Sequence, residues 1–323
     1  MQETIKESPL FWPAHFEKNF LMVLDETLIP KKLHYIKVKN AQEAVAVIRD
    51  MKTRAFGQLL VVLSTFLLEI KNRESKIQFN DLQEIAQALN NSRPTFPFAE
   101  VTGMVLGFAQ KGLAQNIPID VYLPKCIGGY LEGIRYRRLE RVQKIAAIIK
   151  DGDSILTHCN VSGELAMAAA ICQAQGKGIH FFATETRPYF QGAKLTTWEL
   201  ERMGAKVTLV ADNAIGSLMA DGLVNKVIVG SDRSCANGDF ANKIGTYQIA
   251  VLAKEFDIPF YVLTQPSNKI AKGEDIPIEI RDSKELLEFG GKKIVSGNVD
   301  GFYPGFDVVP HELITEAIAI DVR

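Results

Sequence analysis

The C-terminal half of the chain alternates short apolar runs with stretches of helical spacing, and this rhythm constrains the fold more than any other feature. Turn residues bound the apolar runs, as is typical of strands buried on both faces of a sheet. Consecutive parallel strands need a covering crossover, which the helical stretches supply. The pattern therefore predicts an α/β fold with a doubly wound, Rossmann-like, mostly parallel sheet. The predicted strands are 154–158, 179–183, 206–210, 226–229 and 259–263, and the predicted helices are 163–175, 195–203, 214–221 and 241–256.

The N-terminal half lacks this alternation and is predicted to form a smaller, mainly helical domain with a short β element. A chain of 323 residues exceeds the usual single-domain size. We therefore predict an N-terminal domain at 1–147 and a catalytic α/β domain at 148–323. The predicted strands of the first domain are 20–28 and 33–38, and its predicted helices are 41–51, 56–70, 81–89, 98–111 and 133–150, the last joining the two halves.

Charge and cysteine content exclude several classes of function. The net charge of −1 gives no electrostatic case for a nucleic-acid partner. A local cluster of arginines is interleaved with acids and is interpreted as a solvated or interface helix face. Four widely spaced cysteines without a CxxC pair indicate neither a zinc site nor a disulfide framework. The cluster consists of Arg135, Arg137, Arg138 and Arg141, with Glu132 and Glu140 between them.

Missing motifs narrow the chemistry and the location further. The chain has no GxGxxG fingerprint, no GxxxxGK[ST] loop and no HExxH pair, so we expect neither a nucleotide cofactor nor a metal. The first sixteen residues lack the plan of a signal peptide, which favours a reducing cytoplasmic location. The longest apolar run, 59–68, is too short to span a bilayer, so no membrane partner is expected.

Polar residues follow the predicted strands at the points where the strands end. In an open parallel sheet the carboxyl ends of the strands share one edge, which is where ligands bind. The densest example is 226–246, an apolar strand followed by a glycine-rich loop with two carboxylates. The convergence predicts an enzyme site, whereas each loop taken alone is equally compatible with a solvated βα connection.

Two of these residues are candidates for acid–base chemistry. Cys159 lies between a strand and a predicted helix N-terminus, where the helix dipole favours the thiolate; alternatively it is a small buried hydrophobe, as expected for Cys126, Cys172 and Cys235. Asp232 follows an apolar strand, and partial burial there would favour the protonated acid. Its alternative role is a helix cap or a partner for a neighbouring arginine.

The remaining polar residues of this edge are given local roles. Asp239 is predicted to cap the helix that follows it. Asn242 and Lys243 are placed in the first turn of that helix, where backbone N–H groups and an ammonium hold an anion such as phosphate. His158 is interpreted as a structural histidine at a strand end.

Several longer motifs resemble those of the methylthioribose-1-phosphate isomerase family. That family shares its fold with ribose-1,5-bisphosphate isomerases and with regulatory subunits of a translation-initiation exchange factor. The resemblance is weaker in the N-terminal half, where it includes LDETLIP (24–30) and SRPT (92–95). The motifs that carry it are LTHCN (156–160), ETRPYFQGAKLTTWEL (185–200), GSDRSCANGDFANKIGTYQIAVLAK (230–254), IPIEIR (276–281) and GFDVVPHELI (305–314).

The resemblance implies a reaction and a set of roles. It implies an aldose–ketose isomerase that converts 5-methylthioribose 1-phosphate to 5-methylthioribulose 1-phosphate in methionine salvage, without metal or cofactor, and a homodimer. Cys159 and Asp232 match the catalytic pair of the family. Whether hydrogen moves as a proton or as a hydride stays open. The positions that match sugar-binding and phosphate-binding residues are Arg54, Arg93, Gln191, Asn242 and Lys243.

One segment departs from the family pattern. Its isomerases usually carry RGAPAIG where this chain has RAFGQL at 54–59, so the arginine is kept but Phe56 and Gln58 follow it. The loop after Arg93 is also atypical, with Phe96-Pro97-Phe98. Ribose 1,5-bisphosphate and 5-deoxyribose 1-phosphate are therefore alternative substrates, and a non-catalytic, translation-factor-like regulatory subunit is the alternative class.

Overall fold

A computed structural model of the chain describes residues 7–73, 75–94, 96, 98–265 and 269–320. The first six residues, and Thr95 and Pro97 of the atypical loop, lie outside the described residues. The chain divides into two compact units, one formed by Pro9–Tyr136 and the other by Met1–Ser8 with Arg137–Arg323.

The N-terminal unit contains a three-stranded antiparallel sheet and a group of helices, in agreement with the predicted mainly helical domain. The first strand was not predicted, and the fifth helix begins earlier than the predicted 133. Leu123 and Ile127 are fully buried there, and this packing outweighs the helix-breaking tendency of Pro124. The elements are β1 (Ala14–Glu17), β2 (Phe20–Leu24), β3 (Tyr35–Val38), α1 (Ala41–Arg49), α2 (Ala55–Asn72), α3 (Phe79–Ser92), α4 (Phe98–Ala114) and α5 (Ile119–Ile148), which runs on into the second unit.

Helix α2 is the central core helix of this unit. Within the described part of the chain it is the one helix whose length and apolar composition would suit a membrane crossing, although the sequence indicated a shorter apolar run. More than half of its residues are buried inside the protein. Leu60, Leu63 and Phe66 are at most 1% exposed and belong to the hydrophobic core of the unit, which accounts for the apolar composition of the helix.

The second unit is built on a six-stranded parallel sheet, which confirms the predicted doubly wound fold. The strand order is β14-β10-β7-β4-β5-β6, and every neighbouring pair is parallel. All five predicted strands are present, and the edge strand β14 was missed. The strands are β4 (Ser154–Thr157), β5 (His180–Thr184), β6 (Lys206–Val210), β7 (Lys226–Gly230), β8 (Arg233–Ser234), β9 (Phe240–Lys243), β10 (Phe260–Thr264), β11 (Glu288–Phe289), β12 (Lys292–Lys293), β13 (Phe306–Val309) and β14 (Glu316–Ala319). The helices are α6 (Glu164–Ala174), α7 (Thr197–Arg202), α8 (Ile215–Ala220), α9 (Thr246–Glu255) and α10 (Lys284–Leu287).

The predicted helix at 241–256 is wrong in its first part. Residues Phe240–Lys243 form β9, which pairs antiparallel with β13 and β8 in a small second sheet. Gly245 has a φ of +104°, a left-handed conformation that starts α9 and prevents the helix from beginning earlier. Periodicity did not show this because Phe240 and Ala241 are apolar in either arrangement.

Asp239 is consequently not a helix cap. Its carboxylate accepts hydrogen bonds from the backbone N–H groups of Gly273 and His311, each at 2.9 Å, and from the side chain of Asn237 at 2.8 Å. Burial opposes ionisation, but these donors outweigh it and hold the pKa of Asp239 at about 2. The residue joins three loops near β9 instead of starting a helix.

Candidate active site

Cys159 lies on the loop between β4 and α6, at the carboxyl edge of the parallel sheet. Its backbone is left-handed, with a φ of +64°, and Ser162 and Gly163 in the same turn also have positive φ values. A non-glycine residue persists in this region only where its surroundings fix it. The cysteine is 8% exposed, so the turn presents a nearly buried thiol directly before a helix N-terminus, as the sequence predicted.

Two threonine hydroxyls fix the backbone of this turn. The N–H of Cys159 donates to Thr186 Oγ1 at 3.0 Å, and its carbonyl accepts from Thr196 Oγ1 at 2.5 Å. Thr186 follows β5 and has a φ of +60°. Asp212, after β6, accepts from the N–H groups of Thr186 and Arg187, each at 2.7 Å. The loops after three neighbouring strands are thus tied together around the cysteine.

His158 has a structural role, as the sequence analysis proposed. Its Nε2 donates to the Ile244 carbonyl at 2.9 Å, so its Nδ1 accepts from Thr184 Oγ1 at 2.6 Å. Burial lowers the pKa of His158, which favours this neutral form. The ring links β4, β5 and the start of α9.

The interpretation of the arginine cluster of α5 as a solvated or interface helix face is wrong for two of its four members. Arg138 and Arg141 are buried and both contact the buried carboxylate of Glu164, the first residue of α6. Arg138 Nε donates to Oε1 at 2.6 Å, and Arg141 Nε donates to Oε2 at 2.5 Å. Arg141 Nη1 also donates to the Thr264 carbonyl at 2.8 Å. Charge interleaving in sequence gave no signal of this, because the carboxylate comes from another helix.

A further buried acid supports the cysteine loop. Asn160 Nδ2 donates to Glu199 Oε1 at 2.6 Å and to Thr196 Oγ1 at 3.0 Å, while its Oδ1 accepts from the Ser162 N–H at 3.0 Å. Glu199 also accepts from Ser8 at 2.9 Å. The loop that holds the thiol is therefore bonded at Cys159, Asn160 and Ser162.

Asp232 lies on the loop after β7, the strand beside β4. The two loops approach each other, since a Cβ on Gly230 would lie 3.1 Å from Val161 Cγ1. The Asp232 N–H donates to the Ala241 carbonyl at 2.9 Å. The residue is exposed, however, so the expected partial burial is wrong: the strand ends at Gly230 and the carboxylate stands beyond it.

Asn242 and Lys243 lie on β9 and not in a helical turn. Both residues are buried; Asn242 Nδ2 donates to Thr246 Oγ1 at 3.0 Å. The Lys243 ammonium stands over the ring of Phe306 at 4.7 Å and over that of Tyr189 at 5.8 Å. The strand therefore carries a buried amide and a buried cation at neighbouring positions, whose side chains point to opposite faces.

The N-terminus of α9, which was predicted to hold an anion, is occupied by a carboxylate of the protein itself. Asp307 Oδ2 accepts from the Gly245 N–H at 2.7 Å, while its Oδ1 has no hydrogen-bond partner among the described residues. Burial raises the pKa of Asp307 to about 6, although the backbone N–H groups at the start of α9 oppose that rise. The predicted anion site at this helix end is therefore wrong.

Gln191 presents a buried acceptor. Its Oε1 is inaccessible and has no hydrogen-bond partner within the described residues. The residue precedes a single π-helical turn, Gly192–Thr196, that leads into α7, so the helical segment begins before the predicted start at 195. Gly192 lies so close to β5 that a Cβ there would stand 1.8 Å from the Thr184 carbonyl oxygen. Glycine at this position lets Gln191 approach the edge of the sheet.

Tyr303 is a residue that sequence reasoning missed. It is 2% exposed, and its hydroxyl has no hydrogen-bond partner in the part of the chain that the structure describes. Burial, and the nearby charges of Glu285 and Cys159 among others, raise the pKa of Tyr303 to about 12. Only its position just before the GFDVVP motif could have drawn attention to it, since an aromatic residue in a loop carries no spacing signal.

Arg54 and Arg93 belong to the N-terminal unit, where the structure brings them to one helix end. Arg54 precedes α2 and pairs with Glu26 at 3.1 Å. Arg93 follows α3, and its Nη1 donates to Gln58 Oε1 at 2.9 Å. Gln58 is fully buried one turn after Arg54, and its Nε2 donates to the Thr53 carbonyl at 2.9 Å. The atypical glutamine therefore holds the second arginine near the first.

One group of side chains has the composition of a metal site. The ligand atoms of Asp239, His311 and Glu312 lie within 4.8 Å of one another. Among the described residues, no other group of three such side chains is this close together. Glu312 and His311 are exposed, and Asp239 is already satisfied by backbone donors. The arrangement is explained without an ion.

Comparison with known proteins gives a family and close relatives. The pattern of the Initiation factor 2 subunit family matches residues 52–319. A methylthioribose-1-phosphate isomerase of Fervidobacterium nodosum is 50% identical, with 92% of this chain and 90% of the relative covered. A 5-deoxyribose 1-phosphate isomerase of Moorella thermoacetica is 37% identical, with 95% of this chain and 92% of the relative covered.

A solved structure agrees with these relatives. The 5-methylthioribose 1-phosphate isomerase of Pyrococcus horikoshii OT3 matches with a TM-score of 0.84 and 29% identity, and the match covers 98% of this chain and 94% of that one. The resemblance read from the motifs is thus confirmed over nearly the whole chain. The chain belongs to the Initiation factor 2 subunit family and, within it, to the methylthioribose-1-phosphate isomerase family.

Proposed function

We propose that the protein is an aldose–ketose isomerase that converts 5-methylthioribose 1-phosphate to 5-methylthioribulose 1-phosphate, a step of methionine salvage. The observation that carries the proposal is the fixed left-handed turn that places the Cys159 thiol at a helix N-terminus beside the Asp232 loop. The relatives that share nearly the full length of the chain support it. Folding alone does not require Cys159 there, since a glycine would suit its left-handed backbone better.

The proposed chemistry uses the two side chains as an acid and a base. Phosphate on the anomeric oxygen blocks spontaneous ring opening, so Asp232 protonates the ring oxygen as the bond from C1 to that oxygen breaks. The Cys159 thiolate removes the proton from C2, which gives a C1–C2 enol. The proton on the C2 oxygen returns to Asp232, and Cys159 protonates C1. Both groups finish in their starting states, and C2 has become the ketone carbon.

The exposure of Asp232 has two consequences for this cycle. An exposed carboxylate exchanges its proton with water, so the acid is renewed between turnovers. Acid catalysis, however, needs a protonated group at working pH, which requires bound substrate to cover the carboxylate. We therefore propose that Asp232 acts as an acid only when the bound sugar phosphate covers its carboxyl group.

Substrate binding is assigned to five residues. Lys243 supplies a buried cation and Gln191 supplies a buried carbonyl oxygen without a partner in the described structure, which suits a sugar hydroxyl. Asn242 lies beside Lys243 on β9. Arg54 and Arg93 supply guanidinium groups for the phosphate. These assignments follow the family positions and are supported by the local arrangements described above.

A different sugar 1-phosphate is the second candidate. The fully buried Gln58, where the family pattern has a small residue, changes the surroundings of the two arginines. The relative named for 5-deoxyribose 1-phosphate shows that a change of substrate occurs within this family. Ribose 1,5-bisphosphate carries a second phosphate and would need an additional cation.

The decisive experiment offers a panel of these three sugar 1-phosphates to the purified protein. We expect turnover of methylthioribose 1-phosphate with the highest kcat/KM, and loss of turnover in Cys159→Ala and Asp232→Asn with unchanged melting temperature. Cys126→Ala, in the other unit, is the matched control. If no sugar 1-phosphate is isomerised, the regulatory-subunit alternative replaces the proposal, and copurification with a translation GTPase tests that alternative.

Isotope transfer separates the two mechanisms. In deuterium oxide, proton transfer through Cys159 places solvent deuterium at C1 of the product. Complete retention of the original hydrogen would count against that route and favour a hydride shift, with the thiol stabilising the charge that develops.

The proposal includes a cytoplasmic homodimer. Light scattering after size exclusion should give twice the 35.8 kDa mass of the chain. A mass equal to one chain would contradict the dimer without affecting the proposed reaction.

A further inference from the structure

The Tyr303 hydroxyl is a buried polar group without a structural task. It is 2% exposed and has no hydrogen-bond partner among the described residues. A buried hydroxyl left without a partner destabilises the folded state, so native proteins rarely keep one without a reason. Phenylalanine would fill the same space at lower cost. A ligand atom that bonds to the hydroxyl would provide the reason.

The backbone around Tyr303 is fixed on both sides. Its carbonyl accepts from the Arg281 N–H at 2.8 Å, and the next residue but one, Gly305, donates to the Glu279 carbonyl at 2.8 Å. Ile280 and Pro304 form an antiparallel bridge between these two bonds. The side chain is thus carried by a short paired segment, and its hydroxyl is held in place before any substrate arrives.

The segment that carries the phenol is bonded to the cysteine loop. The Gly305 carbonyl accepts from the Ile244 N–H at 3.2 Å, and the Ile244 carbonyl accepts from Nε2 of His158, the residue before Cys159, at 2.9 Å. Burial, before the charges of Glu285 and Cys159, raises the pKa of Tyr303 to about 12. The phenol therefore stays protonated at neutral pH and acts as a hydrogen-bond donor. Its segment is thus bonded to the loop that carries Cys159, the group that removes the proton from C2 in the proposed reaction.

We propose that Tyr303 is a further catalytic residue, whose hydroxyl donates a hydrogen bond to the oxygen on C2 of the sugar phosphate. This inference rests on the proposed isomerase function. As the enol hydroxyl on C2 gives its proton to Asp232 and Cys159 protonates C1, the C2 oxygen gains negative charge on the way to the ketone, and a fixed donor beside it stabilises that charge. Tyr303 keeps its own proton throughout, so the balance between Asp232 and Cys159 is unchanged.

The test compares Tyr303→Phe with Tyr261→Phe in the full chain. Tyr261 is a half-buried tyrosine of β10 whose surroundings include Asp153, before the amino end of β4, so it lies away from Cys159. Loss of a single fixed donor to a developing oxyanion lowers kcat by about 100-fold or more. For Tyr303→Phe we expect that loss, a KM within about threefold of wild type, and an equal or higher melting temperature; Tyr261→Phe should keep its kcat.

Three results would overturn the inference. A kcat within about twofold of wild type would show that the hydroxyl does not act in the transition state. A raised KM with unchanged kcat would assign it to uniform binding. A lower kcat accompanied by a lower melting temperature would assign it to structure. If the wild-type protein turns over no member of the panel, the proposed function fails together with this inference, whereas an active wild type with an active Tyr303→Phe variant refutes the inference alone.

Discussion

The backbone N–H of Cys159 donates to Thr186 Oγ1 at 3.0 Å, and both residues have left-handed backbones with φ values of +64° and +60°. The two unfavourable conformations lie at neighbouring strand ends and are linked by this hydrogen bond, while Thr196 and Asp212 hold them from either side. Strain of this kind is retained where surrounding contacts determine it, and it places a side chain where a relaxed turn would not. Here it places the thiol.

Thr186→Val should separate this positioning from simple packing. Valine has the same shape and β-branching as threonine but cannot accept from Cys159, so the buried N–H loses a partner and stability falls by about 1 to 3 kcal/mol. We expect kcat to fall by about 10- to 100-fold because the thiol is displaced. Thr186→Ser keeps the hydroxyl and is the control. Equal kcat values for the valine and serine variants, in the same assay, would contradict the positioning role.

The buried group formed by Arg138, Arg141 and Glu164 predicts a large stability effect. Glu164→Gln leaves two buried guanidinium groups without their shared carboxylate, and removing one partner of a buried ion pair costs about 3 to 5 kcal/mol. Burial opposes ionisation of Glu164, but the two arginines outweigh it and keep its pKa low, so the loss persists at neutral pH. Urea unfolding measures it. Glu140→Gln, exposed on α5, should change stability by less than about 0.5 kcal/mol, and an equally small change for Glu164→Gln would refute the prediction.

The sequence predicted the parallel sheet and the cysteine turn because both depend on local patterns. Apolar runs mark buried strands, and Cys159 stands between one of them and a helix start. The role of Glu164 was not predictable, since its partners Arg138 and Arg141 lie more than twenty positions away and pair through tertiary contacts. The prediction of a helix over the β9 segment was wrong for another reason. Its apolar residues suit a helix or a strand equally well, and the pairing with β13 decides between them.

Asp307 predicts a pH dependence of stability with an unusual sign. Its pKa is about 6 in the folded protein and near 3.8 when unfolded, so the folded state binds the extra proton between about pH 4 and pH 6. Its contribution to stability is therefore greatest below pH 4 and is lost as the pH rises to 6, by on the order of 3 kcal/mol.

Asp307→Asn removes this titration while keeping an oxygen that accepts from the Gly245 N–H. The stability of the variant relative to wild type should therefore increase between pH 4 and pH 6 and remain constant above pH 6. Urea unfolding at a series of pH values measures the difference, in which the other carboxyl groups cancel. A difference independent of pH would show that Asp307 titrates at its ordinary value.

The Gln58–Arg93 hydrogen bond predicts how this chain handles its substrate. Gln58→Ala restores the small residue of the family pattern and removes the acceptor that holds Arg93 Nη1 at 2.9 Å. A hydrogen bond to a charged group contributes about 1.5 to 3 kcal/mol, so KM for the sugar phosphate should rise by about 10-fold or more if Arg93 binds the phosphate in both ground and transition states. In that case kcat stays within about twofold of wild type. Gln83→Ala, exposed on α3, is the control for loss of a glutamine. Steady-state kinetics on the full chain measure the effect. If Gln58→Ala has the same KM as Gln83→Ala, Gln58 does not position Arg93 for binding. If Gln58→Ala has a lower KM, the glutamine holds the arginine away from the substrate.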